Sequence, residues 1–587
     1  MADPDAAPLG APAFWPAFRK ETRREAATTA VPATNPEHHP ETLLEALRRA
    51  ASVWPQRGIT LIDSRGRVEG RRTWPFLLEE IEAAAGRLVT LGVRPGDRVL
   101  MCLPTSWPWF EVWFGAVRLG ALPAAVAPPR ALGSPRNQIE KALAVNELLD
   151  ARYMVCTDGV SDQVQEIASA GPAGGPRPNL LSQSALAATS PSPVPATRPP
   201  RGDDPAFLQM TSGSTGHQRA VVVGHAAATW SARASMEAVA IPRGGQLMDA
   251  LVGWLPLYHD MGLGGCLLGS LLTGADLIML NPRAFLARPW VWLEQFRRTK
   301  TAMSAAPNFS FRQCVERVGA DRLETLDLSG WRDVCSGSEL VRQETMSEFS
   351  RHFERAGLDP GALRAAYGMA ENTLLISISQ TVDGLHTAAP SGGGPEVTSN
   401  GPPMDRTEIE IAAPDGRALP AGEVGEIRLR SPSTMLGYWN DPGATAEVLR
   451  DGWLYTGDLG FLSPAGEVHI TGRTKELLIL GGSNVMPHEI EWVAESVLGA
   501  GGRERAAAFS VDAPHGERAV LVMETGGGDG AGLLRSEVGR SVGRALGIQL
   551  ADLLLVRRGR IPRTSSGKVR RRSLREQYLR GDLAADF

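Results

Sequence analysis

The sequence predicts an α/β protein in which a large amino-terminal domain, residues 1–475, precedes a small mobile α+β domain, residues 476–587. Helical and strand-like segments alternate in the first third of the chain, which is typical of doubly wound sheets. From residue 407 onward apolar and polar residues alternate, which predicts a β-rich subdomain that closes the large domain. The last part alternates short apolar strands with amphipathic helices, as a compact α+β lobe does.

The elements of the first third follow from the spacing of apolar residues. Apolar residues three and four apart predict helices, and short apolar runs after turn residues predict buried strands. In chain order these are helices 40–56 and 75–92, strand 98–103, helix 109–119 and strand 123–127. Because such sheets bind ligands beyond the carboxyl ends of their strands, we expect the functional site there.

Later segments are less regular. The stretch 171–205 is dominated by Pro, Gly, Ser and Ala and predicts a disordered or long loop-rich excursion. The basic run 569–572 predicts a solvated helix face rather than a nucleic-acid contact. The other predicted elements are strands 251–256, 408–411 and 425–430 and, beyond a hinge near residue 475, strand 476–480, helix 487–498, strands 506–511 and 518–523, and helix 532–546.

Composition excludes several classes of protein. Hydrophobic residues make up 43% of the chain and charged residues 21%, as in ordinary globular proteins. A net charge of -4 gives no reason to expect nucleic acid or an anionic membrane as a partner. The first residues lack an apolar signal region and no long apolar run follows, so we expect a cytoplasmic protein without a transmembrane segment. Five cysteines without C-x-x-C spacing predict buried thiols.

The run of hydroxyl and glycine residues between Thr211 and Gly216 predicts a phosphate-binding loop. Glycines let successive backbone N–H groups point into one concavity, and the hydroxyl groups add donors. Linkers share this composition, but apolar segments on both sides favour a tight turn between two strands. The pattern G-x-x-x-x-G-K-[ST] does not occur, which disfavours a P-loop NTPase.

Further motifs follow this loop in a fixed order and identify a family resemblance. Together they resemble the adenylate-forming superfamily of acyl-CoA ligases, fatty acyl-AMP ligases, luciferases and peptide-synthetase adenylation domains, over roughly residues 40 to 575. The segments 254–262, 306–310 and 336–342 are most similar to the fatty acyl-AMP ligase branch. The motifs that carry the superfamily resemblance are YGMAE at 367–371, GYW at 437–439, YTGDLG at 455–460, GRTK at 472–475 and PRTSSGK at 562–568.

The resemblance implies roles for the charged residues of these motifs. In such enzymes a carboxylate attacks the α-phosphate of ATP, so two anions must approach each other beside a cation. Lys568 matches the family's lysine at this position, and Glu371 matches its magnesium ligand. Asp458 matches the carboxylate that accepts the ribose hydroxyls, and Arg473 matches a ribose and phosphate contact.

The remaining candidate residues are also carried by the resemblance. Tyr367 is expected to stack on the adenine, and Thr215 to contact the magnesium ion. His259 is expected to border the acyl pocket as a gate rather than to act as a general base. The full nucleotide set is Thr211, Ser212, Gly213, Ser214, Thr215, Gly216, Ser336, Gly337, Ser338, Glu339, Tyr367, Gly368, Met369, Ala370, Asp458 and Arg473. The acyl set is Tyr258, His259, Asp260, Met261, Gly262, Asn308 and Phe309.

Two departures from the family pattern bear on the reaction. Where the phosphate loop of relatives continues Pro-Lys-Gly, this chain has Gln218, Arg219 and Ala220, so Arg219 is the catalytic candidate for the β- and γ-phosphates. Beyond the hinge residue Lys475, Gly481 and Gly482 are typical of CoA ligases and could clear a path for pantetheine. The short stretch 371–401 also lacks the insertion of many acyl-AMP ligases, and both of the latter features favour CoA as acceptor.

The sequence therefore predicts an acyl-activating ligase that uses ATP, Mg²⁺ and a thiol acceptor. Its acid is expected to be a long-chain fatty acid or a bulky apolar natural-product acid, with CoA favoured as the acceptor. Three alternatives stay open: an acyl-AMP ligase that loads the phosphopantetheine of an acyl carrier protein, an enzyme that only converts preformed acyl-AMP to the thioester, and a non-catalytic adenylate-binding regulator.

Overall fold

The computed structural model describes residues 39–129, 135–170, 178–196, 198–211, 218–480, 483–498, 505–513, 516–526, 531–564, 567–583 and 585–586. Within these ranges the strands form four large sheets and a two-stranded ribbon, Thr387–Ala388 with Val397–Thr398. No helix in this part of the chain is long and apolar enough to cross a membrane.

The first sheet has eight strands, and its six central strands are parallel. Antiparallel strands close both of its edges. In spatial order the strands are Leu375–Ile378, Leu363–Gly368, Trp331–Ser336, Ala302–Ala306, Ala250–Gly253, Asp276–Leu280, Gly58–Ile62 and Val68–Thr73.

The second sheet has seven strands and is also mainly parallel. Its strands, in spatial order, are Gly437–Tyr438, Ala220–Gly224, Pro205–Met210, Leu122–Ala125, Arg98–Cys102, Tyr153–Cys156 and Asn179–Ser182. Strands Pro205–Met210 and Ala220–Gly224 pair antiparallel, with Met210 opposite Ala220, so the predicted phosphate loop does connect two paired strands. The doubly wound α/β prediction is confirmed.

Helices join the two sheets through one large apolar core. Helix Trp107–Leu119 illustrates why these residues are helical: Pro108 lies in its first turn, and Gly120, at φ 79°, ends it. Its Trp109 and Trp113 rings stack at 5.9 Å, and both side chains are buried. The longer α-helices of the large domain are Leu43–Val53, Trp74–Thr90, Trp107–Leu119, Pro135–Leu149, Asp158–Ala170, His225–Ala240, Asn308–Arg317 and Gln343–Phe353.

Short helical elements complete this domain. Met261–Leu268 is a π-helix, a rare form that is often found beside functional sites. The short α-helices are Gln183–Ala188, Gly269–Thr273, Pro282–Ala287, Trp290–Leu293, Ala320–Leu323 and Pro442–Val448, and the 3₁₀ turns are Ile241–Arg243, Phe296–Arg298, Glu354–Ala356, Pro360–Ala362, Ala370–Asn372 and Thr474–Glu476.

The third sheet is antiparallel and corresponds to the predicted β-rich subdomain. Its strands are Glu408–Ala412, Gly425–Arg430, Trp453–Leu462, Leu449–Arg450 and Val468–Arg473. The 3₁₀ turn Thr474–Glu476 follows its last strand, at the position where the sequence predicts the domain boundary.

The fourth sheet belongs to the carboxy-terminal lobe, and apolar clusters lie on both of its faces. Its strands are Ser483–Val485, Leu478–Leu480, Gly516–Thr525, Ala506–Ala513 and Leu550–Arg557. The helices of this lobe are Pro487–Val497, Ala531–Leu546 and Arg571–Leu579.

Three details answer expectations from the sequence. All five cysteines are free and buried, as predicted. The excursion 171–205 contains more regular structure than expected, because Asn179–Ser182 extends the edge of the second sheet and Gln183–Ala188 is helical. The prediction of a solvated basic face at 569–572 is wrong for Arg571. Its guanidinium pairs with Glu491 at 2.8 Å and with Glu476 at 3.2 Å.

Candidate active site

Two adjoining cavities lie at the carboxyl ends of the parallel strands of the first sheet, where such folds bind ligands. The first has a volume of about 200 Å³ and the second, which reaches the carboxy-terminal lobe, about 190 Å³. Six residues line both cavities, so the two are parts of one site: Ser338, Ala366, Tyr367, Gly368, Arg473 and Lys568.

Lys568 brings a cation from the carboxy-terminal lobe into this site. It is partly buried, and within the described residues its ammonium group makes no ion pair shorter than 4 Å. Desolvation, with a further contribution from the nearby Arg473 charge, lowers the pKa of Lys568 below its usual value. A buried ammonium without a paired anion favours an anionic ligand at this position.

Glu371 lies across the first cavity and is held by an aromatic hydroxyl. The Tyr438 hydroxyl donates a 2.8 Å hydrogen bond to Glu371 Oε1, and burial raises the pKa of Glu371 despite this bond. Arg219 lies over the Tyr438 ring, 5.2 Å from its centroid, and its Nε is 3.5 Å from Asp441. The cation expected on the phosphates therefore lies beside the expected magnesium ligand.

Asp458 is the centre of a second polar group. Its Oδ2 accepts the Tyr367 hydroxyl at 2.8 Å, and its Oδ1 faces Arg473 Nε at 2.8 Å. Burial, and then the Asp458 charge, raise the pKa of Tyr367, whereas the Asp458 charge is the main cause of the raised pKa of Arg473. Both carboxylate oxygens are thus fixed in orientation beside the second cavity.

The neck of the predicted phosphate loop is closed by two hydrogen bonds. Thr211 N–H donates to the Arg219 carbonyl at 2.9 Å, and Arg219 N–H donates to Thr211 Oγ1 at 3.1 Å. The tip of the loop, with the candidates Ser212, Gly213, Ser214, Thr215 and Gly216, lies outside the described residues.

The expected adenine segment is tightly packed and strained. A Cβ on Gly337 would lie 2.8 Å from the Ala366 carbonyl oxygen, and Ser338 has a φ of 75°, which side chains rarely adopt. Glu339 Oε1 accepts the Asn308 N–H at 2.9 Å, and Ser336 Oγ donates to Asn308 Oδ1 at 3.1 Å. Asn308 therefore lies beside the nucleotide candidates and lines the second cavity rather than the first.

A tight turn follows Tyr367 and presents Gly368, Met369 and Ala370 to the first cavity. Met369 N–H donates to the Leu374 carbonyl at 2.9 Å, and a Cβ on Gly368 would clash with that carbonyl. Thr373, at φ 63°, is held by a 2.7 Å hydrogen bond from its hydroxyl to the Ser433 carbonyl. This geometry holds Glu371 at the cavity wall.

The other end of the first cavity is mainly apolar. His259, Asp260 and Met261 line it, and burial lowers the pKa of His259 to about 4, so its ring is neutral near pH 7. The apolar wall consists of Met236, Val239, Met303, Ala305, Leu374, Leu375 and Ile378. Ser235 also lines it; this residue is 1% exposed, and its hydroxyl has no hydrogen-bond partner in the described part of the chain.

Two other acyl candidates border different surfaces. Tyr258 lines a third cavity of about 450 Å³, together with Pro256 and Leu257, and its carbonyl accepts a hydrogen bond from Gln209 Nε2 at 2.9 Å. Phe309 packs against Gly567 of the carboxy-terminal lobe and, edge to face at 6.1 Å, against Trp254. Gly262 is packed against the Pro256 carbonyl, where a Cβ would clash.

The hinge and acceptor candidates are only partly described. Lys475 is exposed in the 3₁₀ turn Thr474–Glu476, whereas Gly481 and Gly482 lie outside the described residues. Sequence reasoning missed Tyr438, Ser235 and Arg342. The GYW motif contains Tyr438 and could have identified it, whereas neither Ser235 nor Arg342 carries a local signal of its position.

Residues 47–439 match the family described as AMP-binding enzyme. The chain is 33% identical to a putative acyl-CoA synthetase of Caulobacter vibrioides, over 92% of this chain and 96% of that protein. It is 30% identical to 4-hydroxyphenylalkanoate adenylyltransferase of Mycobacterium marinum, over 92% and 91%. A solved structure from studies of fatty acyl-adenylate ligases of E. coli and L. pneumophila superposes with a TM-score of 0.81 at 29% identity, over 92% of this chain and 98% of that chain.

Proposed function

The chain belongs to the AMP-binding enzyme family of acyl-activating ligases, and from this premise we propose that it joins a carboxylic acid to a thiol through an acyl-AMP intermediate, with CoA as the acceptor. The observation that carries the proposal is the position of Lys568. This lysine, which makes no ion pair within the described residues, lines both cavities; Glu371 and Arg219 line the first, and the Asp458–Arg473 pair lines the second.

In the first half-reaction an oxygen of the substrate carboxylate forms a bond to the α-phosphorus of ATP, and pyrophosphate leaves. Lys568 offsets the repulsion between the two anions in the cavity where they approach each other. Asp458, held by Tyr367 and Arg473, is oriented to accept hydrogen bonds from the ribose hydroxyls.

The residues of the first cavity fit a magnesium ion carried by ATP. Glu371 offers a carboxylate in the cavity wall, and burial raises the pKa of Glu371. A magnesium ion bound to phosphate oxygens needs only one or two protein carboxylates. When bound, it would neutralise charge on the phosphates, while Tyr438 keeps the Glu371 side chain in position.

In the second half-reaction the thiol sulfur forms a bond to the acyl carbon, AMP leaves, and the thiol proton is released. CoA is proposed as the acceptor because the relative at 33% identity, which this chain matches over 92% of its length, is named a putative acyl-CoA synthetase.

The acid is proposed to be a long-chain fatty acid or a bulky apolar acid. The acyl end of the first cavity is walled by methionine, leucine and isoleucine side chains. The two curated relatives differ, because one name specifies only acyl groups and the other specifies 4-hydroxyphenylalkanoates. The unpaired Ser235 hydroxyl in the wall favours testing acids that carry an oxygen function beside plain fatty acids.

One observation favours a second candidate, an enzyme that only uses preformed acyl-AMP. Arg219 replaces the lysine of the family's loop, and it is engaged by Asp441 and the Tyr438 ring. An arginine held in this way has to leave its partners before it can hold the β- and γ-phosphates. Loading of a carrier protein is a further alternative for the acceptor.

Product analysis separates these functions. The protein is incubated with ATP, Mg²⁺, CoA and a panel of fatty and arylalkanoic acids, in parallel with the same acids supplied as adenylates. Acyl-CoA from free acid supports the complete ligase, and acyl-CoA from the adenylate alone supports the second candidate. Acyl-AMP that accumulates would contradict CoA as acceptor, and no turnover in either arm would leave a non-catalytic adenylate-binding protein.

A further inference from the structure

An ion pair joins the two lobes at the rim of the second cavity. Arg342 of the large lobe donates from Nη1 to Glu495 Oε2 at 2.6 Å, and the exposed side-chain fractions are 14% and 2%. The Arg342 guanidinium also lies 5.2 Å from the ring centroid of Trp492, one helical turn before Glu495. Glu495 and Trp492, which the Arg342 guanidinium contacts, both belong to helix Pro487–Val497 of the small lobe.

Glu495 is fixed independently of Arg342. Its Oε1 accepts the Ala506 N–H at 2.9 Å, which connects the helix to the neighbouring strand Ala506–Ala513. Burial is the largest cause of the raised pKa of Glu495, and the Arg342 charge opposes it. The carboxylate is therefore rigid within its own lobe and depends on the other lobe for a counter-charge.

Two more contacts surround this pair. Phe309 packs so closely on Gly567 that a Cβ there would clash, and Arg505 approaches Glu316 at 3.9 Å. Gly567 directly precedes Lys568, so this docking surface and the lysine of the site move together. When the lobes separate, Arg342 and Glu495 regain water and Lys568 leaves the cavity.

We propose that Arg342 is a positioning residue, which acts through Glu495 and Trp492 to hold the small lobe where Lys568 serves adenylation. The inference rests on the proposed function. Replacing one partner of a buried ion pair destabilises the docked state, because the charge of the other partner then stays buried without a counter-charge. Loss of Arg342 is therefore expected to favour the separated lobes and to spare chemistry that does not use Lys568.

The test compares half-reactions in Arg342→Met, Glu495→Gln and the matched control Arg351→Met, whose arginine is exposed on helix Gln343–Phe353. Wild-type pyrophosphate exchange first establishes the proposed function separately. We expect both site variants to lose about tenfold or more in kcat/KM for exchange, with thioester formation from supplied acyl-AMP kept within about threefold. Arg342→Lys, which keeps the charge, is expected to recover part of the loss.

A second readout needs no activity. Lys475 is exposed in the turn between the lobes, so tryptic cleavage there reports on their separation. We expect faster cleavage in Arg342→Met and Glu495→Gln, with an unchanged melting temperature. An equal loss in both half-reactions, unchanged exchange, or unchanged cleavage in both folded variants would overturn the proposal.

Discussion

At the scale of single residues, the proposed chemistry depends on Lys568. Among the described residues of the carboxy-terminal lobe, Lys568 is the only cation that lines both cavities. Replacement by alanine removes this charge from the site. We expect Lys568→Ala to lower pyrophosphate exchange by about 10²–10³-fold, in the range of other electrostatic transition-state contacts. Lys300→Ala, at an exposed lysine, is the matched control, and unchanged exchange in Lys568→Ala would remove this residue from the mechanism.

Tyr438 makes a separable contribution at the same scale. Tyr438→Phe removes the hydroxyl that donates to Glu371 Oε1, which leaves a buried carboxylate with a pKa raised further and a less fixed orientation. We expect the KM for Mg-ATP to rise several-fold at saturating acid, with about 1 kcal/mol of lost stability. Tyr578→Phe is the control, because its hydroxyl also bonds a carboxylate, but at an exposed site. An unchanged KM would show that Glu371 does not need this bond.

At the scale of elements, two parallel strands of the first sheet are joined by a buried ion pair. Asp333 on Trp331–Ser336 lies 3.1 Å from Arg364 on Leu363–Gly368, and the side chains are 0% and 1% exposed. Removing one partner leaves the other charge buried, so we expect Asp333→Ala to lower the free energy of unfolding by about 3–5 kcal/mol in urea denaturation. Glu140→Ala, which breaks an exposed pair with Arg136, should cost below about 0.5 kcal/mol. If Asp333→Ala lowered the free energy of unfolding as little as Glu140→Ala does, the buried ion pair would not be important for stability.

The sequence also predicted several helices of the large domain correctly. The helices at 40–56 and 75–92 occur as Leu43–Val53 and Trp74–Thr90, because apolar spacing is set locally. The prediction that Arg571 faces solvent was wrong, because its carboxylate partners Glu491 and Glu476 lie 80 and 95 residues earlier in the chain and no local pattern connects them. The motif order identified the family, but the contacts of Tyr438 and Arg342 depend on tertiary and inter-lobe packing that no local pattern encodes.

At the scale of the whole molecule, the two lobes give the site its two parts. The large lobe supplies Glu371, Arg219 and Asp458, and the small lobe supplies Lys568 next to Gly567, which packs on Phe309. In an enzyme with two successive half-reactions, the contact between the lobes has to hold during the first half-reaction and has to open before the second. The proposed role of the Arg342–Glu495 pair suits this requirement, because charged groups that become exposed on separation would gain hydration.

The stability of the whole molecule should also depend on pH through two buried histidines, one in each lobe. Burial lowers the pKa of His225 to about 4 and that of His488 to about 3, and His225 Nδ1 accepts the Leu43 N–H at 3.3 Å, as a neutral ring can. The unfolded chain binds protons at these residues near pH 6.5, so between that pH and about 4 it holds more protons than the native state.

This stabilisation is therefore complete above about pH 6.5 and is lost progressively as the pH falls toward the folded pKa. His225 contributes up to roughly 3 kcal/mol to the difference, and His488 up to roughly 5 kcal/mol. We expect the free energy of unfolding from denaturant titrations to decline from pH 7 to pH 5, and to decline less steeply in His225→Gln. His386→Gln, at an exposed histidine, should keep the wild-type slope. The same slope in all three proteins would mean that His225 is not held neutral by the fold.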